Sequence, residues 1–328
     1  MSETSDYTPA DHAVKHNFSS AKAHYQTRAK QTGGVVDVTY EEVLARNLIT
    51  QCRRPLLINT DQTGSMGDNT ATIFSKFPFL EHEAKLYLGE DVEISFGATG
   101  DANNQEHYPV QARPFTIGPN IPKALEELKI EAQGGGQGHE TYELSALYYL
   151  YNLSAPNAVQ KPILIFIGDE KPYENVTPAM AKRYAFVTLE KQMSTEEIFR
   201  ALTHVCSVWM IRILHEQPNG DRMSRYDQQA DELWSKLVGE QRVMHLPDSA
   251  RVVDNILCIL ANEVGKPEEF DEDMKKRQTQ AQQAVVFESV HRFHHKLTAP
   301  KMKQIPEDAG KSVLRRAGSN DETNEPFI

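Results

Sequence analysis

The chain has 328 residues, 39% hydrophobic and 25% charged, which is enough apolar material for a folded core and excludes a wholly disordered protein. Its 35 Lys+Arg and 46 Asp+Glu give a net charge of −11, which argues against nucleic acid as the partner. Cys52, Cys206 and Cys258 lie far apart with no CxxC pair, so we expect a reduced, cytoplasmic protein without a disulfide framework. The apolar runs are far shorter than the ~20 residues that cross a bilayer, so we predict no membrane span.

The first 54 residues are predicted to form an N-terminal arm with one short helix. Residues 1–34 are polar and mixed, and they end in two glycines. Thr39 and Glu42 have the spacing of a capping box, which predicts a helix start.

Residues 55–265 are predicted to form the main domain, because strand and helix patterns alternate through them. Apolar runs predict strands buried on both faces, and weaker patterns predict three more; in chain order the strands are 55–60, 91–98, 108–117, 162–167, 207–214 and 243–246. Helices are predicted at 72–88 with a break at Pro78, at 122–131, and after Thr141, Ser194 and Asp248. This alternation predicts a doubly wound α/β fold of the Rossmann-like kind, with a mostly parallel sheet and helices on both faces.

Residues 266–328 are predicted to form a C-terminal extension. Residues 267–297 are expected to make one long helix with an apolar stripe at Val286, Val290, Phe293 and Leu297, followed by a flexible tail. We expect the stripe to pack on the main domain rather than to bind a partner. Removal of residues 266–328 is then expected to leave a folded domain.

Oxygen-bearing side chains follow the predicted strands, at the edge of the sheet where ligands bind in open α/β folds. A glycine-rich loop at 134–138 also leads to such residues at the start of a helix. The candidates are Asp61, Thr63 and Ser65 after the first buried strand, Glu140 and Thr141 after the loop, and Asp169 and Glu170 after the strand at 162–167. Carboxylates and hydroxyls are the ligands of Mg²⁺, Mn²⁺ or Ca²⁺, so a hard divalent cation is predicted here.

The pattern Asp61-x-Thr63-x-Ser65, then Thr141 before a helix, then Asp169 after a later strand, resembles the metal-ion-dependent adhesion site of von Willebrand factor type A (vWA) domains. The DQTGSM segment is similar to the DxTGSM variant of intracellular members, and the resemblance covers roughly residues 55–265. It implies Mg²⁺ (or Mn²⁺ or Ca²⁺) held by Ser65, Thr63 and Thr141, with Asp61 and Asp169 contacting the ion directly or through water. One coordination position is left for an Asp or Glu of a partner protein. The resemblance further implies an adaptor that acts with AAA+ ATPases of the MoxR type.

Other functions remain open from the residues alone. The loop at 134–138 lacks the GxxxxGK[ST] pattern of a nucleotide-binding loop, and Thr63 stands where a haloacid-dehalogenase-like phosphatase has an acid/base Asp. Without a convincing nucleophile or general base, we predict a binding protein rather than an enzyme. A structural subunit of a phage or secretion-like assembly and a metal-dependent phosphohydrolase are the alternatives. His291, His294 and His295 could bind a transition metal but are expected to form a solvated helix face.

Overall fold

The computed structural model describes residues 18–32, 38–104, 106–132, 138–216 and 223–294. Within these ranges the helices are α1 Phe18–Thr32, α2 Tyr40–Val43, α3 Asp68–Lys76, α4 Leu80–Leu88, α5 Ile121–Glu126, α6 Tyr142–Asn152, α7 Pro178–Tyr184, α8 Thr195–Val205, α9 Arg225–Val238, α10 Val252–Glu263, α11 Pro267–Arg277 and α12 Gln280–His294. The strands are β1 Leu48–Ile49, β2 Leu56–Asp61, β3 Ile94–Thr99, β4 Val110–Ala112, β5 His139–Glu140, β6 Leu153–Ser154, β7 Ile163–Gly168, β8 Lys171–Pro172, β9 Asn175–Val176, β10 Met193–Ser194, β11 Ser207–Arg212 and β12 Val243–His245.

Six of these strands form the central sheet, in the order β12-β11-β7-β2-β3-β4. All neighbouring pairs are parallel except β3 and β4, which pair antiparallel. Helices cover both faces of the sheet, so the predicted Rossmann-like α/β architecture is confirmed. The remaining strands are short and pair in twos around this sheet.

The buried strands send alternate side chains into two separate cores. On β2, Leu56 and Ile58 lie in the core under α3, α4 and α10, while Leu57 lies in the core under α6 and α8. On β7, Leu164 and Phe166 belong to the same core as Leu57. Because both faces are covered, apolar residues occupy consecutive positions in these strands rather than alternate ones, which explains why their sequences could be recognised as strands.

The helices follow the predictions less closely than the strands do. The helix predicted at 122–131 ends at Glu126, and the helix predicted at 72–88 is two helices, α3 and α4, joined by a 3₁₀ turn that contains Pro78. Pro78 removes a backbone donor, which accounts for the break. No helix or strand was predicted at 215–242, where α9 buries Trp234.

Both ends of the described chain contact the main core. Tyr25 of α1 is buried and meets Phe74 edge-to-face, with 5.5 Å between ring centres. The single helix predicted at 267–297 is instead α11 and α12, because Thr279 and Gln282 exchange capping hydrogen bonds and start a new helix. Val286 and Val290 of the predicted stripe are buried in the main core, whereas the side chain of Phe293 and residue Leu297 lie outside the described residues. In the described ranges, every helix is too short or too polar to cross a membrane.

Candidate metal centre

Four of the five predicted ligands, Asp61, Thr63, Ser65 and Asp169, come together at the carboxyl edge of the sheet, between β2 and β7. From β2 the chain continues to β3 on one side and reaches β7 on the other, so the loops that leave these two strands diverge. Such a switch point creates the crevice in which open α/β sheets bind ligands. Asp61 is the last residue of β2, and Asp169 directly follows β7.

A chain of hydrogen bonds joins four of the five predicted ligands. The hydroxyl of Thr63 donates to Asp61 Oδ1 at 2.7 Å and lies 3.1 Å from the hydroxyl of Ser65. Ser65 in turn donates to Asp169 Oδ1 at 3.2 Å. Asp61, Thr63 and Asp169 are buried, whereas Ser65 is partly exposed, so the oxygen cluster reaches the surface at Ser65.

Local turn chemistry places the first three residues. The backbone N–H of Thr63 also donates to Asp61 Oδ1, at 2.8 Å, which closes a turn right after β2. A short 3₁₀ helix, Gly64–Met66, follows this turn and presents Ser65. The hydroxyl of Thr70 on α3 donates to the backbone oxygen of Asp61 at 2.9 Å and ties the loop to the helix behind it.

Thr141 is buried at the start of α6, but its hydroxyl does not join this chain of hydrogen bonds among the described residues. It donates to the backbone oxygen of Gly100 at 2.6 Å. The next residue, Tyr142, donates to Asp61 Oδ2 at 2.5 Å. Since a hydroxyl oxygen that donates one hydrogen bond keeps its lone pairs, Thr141 stays a predicted ligand.

Glu140 has no polar partner for its carboxylate in the described part of the chain. It is fully buried, and neither side-chain oxygen has a hydrogen-bond partner there. Burial and then the nearby carboxylates of Asp61, Asp101, Glu106 and Asp169 raise the pKa of Glu140 to about 11. An unpaired buried acid that faces other acids is unfavourable unless a proton or a cation neutralises it.

The two predicted aspartate ligands experience the same concentration of negative charge. Burial raises the pKa of Asp61 to about 6, against the opposing effect of the hydrogen bonds from Thr63 and Tyr142. Burial, and then the carboxylates of Asp61 and Glu170, raise the pKa of Asp169 to about 8. A divalent cation among these oxygens would remove the repulsion, so the residues present fit the ion that the resemblance implies.

Tyr142 and His215 also belong to this edge of the sheet, although neither was predicted as a ligand. Glu170 was placed at this edge from the sequence but is not one of the five predicted ligands. Ligand atoms of Asp169, Glu170 and His215 lie within 4.8 Å of one another, a spacing that could hold a metal ion. His215 could have been found from the sequence. It closely follows the predicted strand at 207–214, whose carboxyl end must reach the same edge.

Two sequence-level candidates fall partly outside the described residues. Of the glycine-rich loop, 133–137 are outside, and Gly138 has a φ of +74° and accepts a hydrogen bond from the Tyr226 hydroxyl at 2.8 Å. The side chains of His291 and His294, and all of His295, also lie outside. The expectation that these three histidines form a solvated helix face therefore concerns side chains outside the described residues.

No protein-family model and no curated protein sequence matches the chain. Among solved structures, the chain is similar to the open conformation of the pilus adhesin SpaC from Lactobacillus rhamnosus GG, with a TM-score of 0.48 and 10% identity over 66% of this chain and 31% of that one. It is also similar to proximal thread matrix protein 1 from the mussel byssus, with a TM-score of 0.40 and 10% identity over 65% of this chain and 48% of that one. The chain thus matches less than half the length of either structure.

Proposed function

We propose that the protein is a metal-dependent protein-binding module of the vWA kind. In this proposal Asp61, Thr63, Ser65, Thr141 and Asp169 hold Mg²⁺, or Mn²⁺ or Ca²⁺ in its place. The ion's remaining coordination position then takes a carboxylate from an Asp or Glu of a partner protein.

The observation that carries the proposal is the hydrogen-bonded series Asp61–Thr63–Ser65–Asp169 at the switch point of the sheet. Ser65 and Asp169 are 104 positions apart in the sequence, yet their oxygens meet in one crevice. Capping of a helix would account for a hydroxyl next to a carboxylate on one loop. It does not account for the carboxylate of Asp169 arriving from a second strand.

Charge and exposure favour a binding role. Two carboxylates only balance a dication, and the hydroxyls of Thr63 and Ser65 add no charge, so a third anionic oxygen is still attracted to the ion. Ser65 is the partly exposed member of the series, and the adjacent Gly64 is exposed, so a partner's side chain has access there. The buried ends of the series are held by Tyr142 at Asp61 and by the loop after β7 at Asp169.

The partner class and the location of the protein are further parts of the proposal. The resemblance to intracellular vWA proteins favours an adaptor that works with a MoxR-type AAA+ ATPase. A cytoplasmic location is consistent with three buried free thiols, Cys52, Cys206 and Cys258.

The hydroxyl of Thr63 provides the test of the proposed site. Thr63→Ala removes the hydroxyl that connects Asp61 to Ser65. We therefore expect the Kd for Mg²⁺, measured by calorimetry, to rise at least tenfold. This is the lower end of the ~10–100-fold effect on metal affinity of residues that support a metal ligand. Binding of an immobilised acidic peptide in Mg²⁺ should fall with it. The same peptide with Gln and Asn in place of Glu and Asp should not bind.

Thr203→Ala is the matched control. Thr203 is a half-buried threonine, whereas Thr63 is buried. The backbone oxygen of Thr203 accepts a hydrogen bond from Lys161, which precedes β7, so Thr203 lies at the opposite edge of the sheet. This variant should bind Mg²⁺ and the acidic peptide as the wild type does. Equal Mg²⁺ affinity in Thr63→Ala and wild type would contradict the proposed site. Turnover of phosphoesters that needs Mg²⁺ and is lost in Asp61→Asn would favour a hydrolase instead.

A further inference from the structure

A second group of metal-ligating side chains lies beside the proposed Mg²⁺ position, formed by Asp169, Glu170 and His215. His215 Nε2 is 3.3 Å from Glu170 Oε1 and 3.9 Å from Asp169 Oδ2. Two ligands about 2.0–2.1 Å from a tetrahedral zinc are separated by roughly 3.3–3.4 Å. The distance between His215 and Glu170 therefore already equals that between two ligands of one zinc ion. The distance between His215 and Asp169 is longer than this ideal value by about half an ångström.

The two acids are interior groups and not a patch of surface charge. Asp169 and Glu170 are each 2% exposed. Glu170 Oε2 is buried and has no hydrogen-bond partner among the described residues, although Oε1 of the same carboxylate faces His215. The indole N–H of Trp234 donates to the backbone oxygen of Glu170 at 2.9 Å and holds that residue in place. Glu170 therefore brings to the group one oxygen that faces His215 and a second, buried oxygen that has no hydrogen-bond partner in the described part of the chain.

A buried ion-pair network supports the other two members. The guanidinium of Arg212 donates to the backbone oxygen of Asp169 and to Asp227 Oδ1, both at 2.9 Å. The backbone N–H of His215 donates to the same Asp227 oxygen at 3.2 Å. One arginine and one aspartate therefore orient the main chain on both sides of the group.

The charge of Arg212 is already balanced and cannot neutralise the two acids. Its carboxylate partners are Asp227 at 2.9 Å and Asp231 at 3.3 Å. Within the described ranges, the only basic nitrogen within 4.0 Å of the carboxylates of Asp169 and Glu170 is that of His215. Two acids and one imidazole leave a net negative site that suits a dication.

A cavity of about 540 Å³ opens onto Glu170 and His215 and gives an ion access from solvent. The other residues that line it are Gly138, Glu216, Ser224, Arg225 and Tyr226. The space leaves room for a water molecule to complete the coordination of an ion that has three protein ligands.

We propose that Asp169, Glu170 and His215 bind a second divalent cation, of the borderline transition-metal class that Zn²⁺ represents. The imidazole favours Zn²⁺ over Mg²⁺ and Ca²⁺, which prefer oxygen ligands only. Asp169 lies between the two positions, since its Oδ1 accepts from Ser65 while its Oδ2 faces His215. The second site shares only Asp169 with the proposed Mg²⁺ site and does not require that Mg²⁺ binds.

Calorimetric titration of the EDTA-stripped full chain with Zn²⁺ in millimolar Mg²⁺ tests the proposal. We expect the wild type to bind one Zn²⁺ that Mg²⁺ does not displace. His215→Ala and His215→Gln should weaken this binding at least tenfold, a lower bound since even a residue that only supports a ligand contributes ~10–100-fold. Glu170→Gln should weaken it too, whereas Thr63→Ala should lose Mg²⁺ affinity and keep the Zn²⁺ affinity.

Two controls separate this site from other histidines. His204→Ala changes an exposed histidine on α8 and should leave Zn²⁺ binding unchanged. Replacement of His291, His294 and His295 by alanine should leave the binding that depends on His215 intact.

Equal Zn²⁺ affinity in the wild type and both His215 variants would overturn the proposal and leave an ordinary histidine–carboxylate ion pair. Loss of Zn²⁺ binding in Thr63→Ala or in Mg²⁺ would also overturn it, because Zn²⁺ would then occupy the first position. Zinc binding through His215 without any Mg²⁺ affinity would support this site and contradict the proposed function.

Discussion

Buried carboxyl groups dominate the chemistry around the candidate metal centre, and Glu106 illustrates their state without a cation. It is 4% exposed; Oε2 accepts a hydrogen bond from the backbone of Asp101 at 2.6 Å, and Oε1 has no partner in the described ranges. Burial, and to a lesser extent the carboxylates of Glu131 and Asp61, raise the pKa of Glu106 to about 9 from 4.5. In the metal-free folded protein this group therefore keeps its proton at neutral pH.

Proton retention by Glu106 makes stability depend on pH with a definite sign. Between its unfolded pKa of 4.5 and its folded pKa of about 9, the folded state binds more protons than the unfolded chain. The free energy of unfolding therefore falls as the pH rises through this window, by up to about 1.4 kcal/mol per pH unit for one group. The stabilisation that the protonated Glu106 contributes is fully present below the window and is lost as the pH rises through it. Glu106→Gln cannot ionise, so we expect a flatter dependence in urea denaturation with EDTA present.

The control for Glu106 is an exposed acid. Glu240 lies on the surface in the 3₁₀ helix Glu240–Arg242 that follows α9, and Glu240→Gln should leave the slope of stability against pH as it is in the wild type. A Glu106→Gln protein with the wild-type slope would show that other acids cause the pH dependence.

At the scale of single residues, local parts of the site are predictable and distant parts are less so. Asp61, Thr63 and Ser65 occupy one five-residue turn, so their meeting follows from the sequence of the turn itself. The position of Asp169 next to them was predicted from the rule that parallel strands end at a common edge of the sheet. The bond from Tyr142 to Asp61 depends on how far α6 stands above β2, which no pattern in the sequence reports.

At the scale of elements, strands were easier to predict than helices because burial on two faces leaves an uninterrupted apolar run. The strand predicted at 162–167 is found as β7, Ile163–Gly168, with every residue buried. α9 was missed because only its inward stripe, including Ala230 and Trp234, is apolar, and polar residues fill the rest. Helix ends that depend on a cap, such as Thr279, were missed where the cap was not recognised.

The contact between β7 and α6 requires glycine at position 168. A Cβ added to Gly168 would lie 1.9 Å from the Tyr142 hydroxyl and 2.9 Å from Asp61 Cβ. Gly168→Ala should therefore displace Tyr142 from Asp61, lower stability by about 1–3 kcal/mol as overpacking does, and weaken Mg²⁺ binding. Because the shortest contact is to the hydroxyl oxygen, Tyr142→Phe in the same chain should recover part of the lost stability.

A double-mutant cycle over these two positions measures the coupling. Tyr142→Phe alone should cost about 1.5–3 kcal/mol, the range for a hydrogen bond to a charged group. If the two losses simply add in urea denaturation, Gly168 and Tyr142 do not constrain each other and the close approach is not what maintains the site.

At the scale of the whole molecule, the C-terminal helices are part of the core rather than an extension of it. Phe270 and Met274 of α11 and Val286 and Val290 of α12 are fully buried in the same cluster as α10. Polar contacts add to this, since the side-chain amide of Gln278 donates to both carboxylate oxygens of Asp254 at 3.1 Å. These contacts oppose the expectation that residues 55–265 would be stable without the C-terminal segment.

Truncation after residue 265 should therefore unfold or severely destabilise the protein. Burial of a large apolar side chain contributes about 1.5–3 kcal/mol, so the four in α11 and α12 represent roughly 6–12 kcal/mol, comparable with the ~5–15 kcal/mol that keeps a domain folded. A chain that ends after His294 keeps all four side chains and should melt close to the full-length Tm in a thermal scan. If the chain that ends at residue 265 melts at that same temperature, the main core is complete without α11 and α12, and their burial is only docking onto a finished domain.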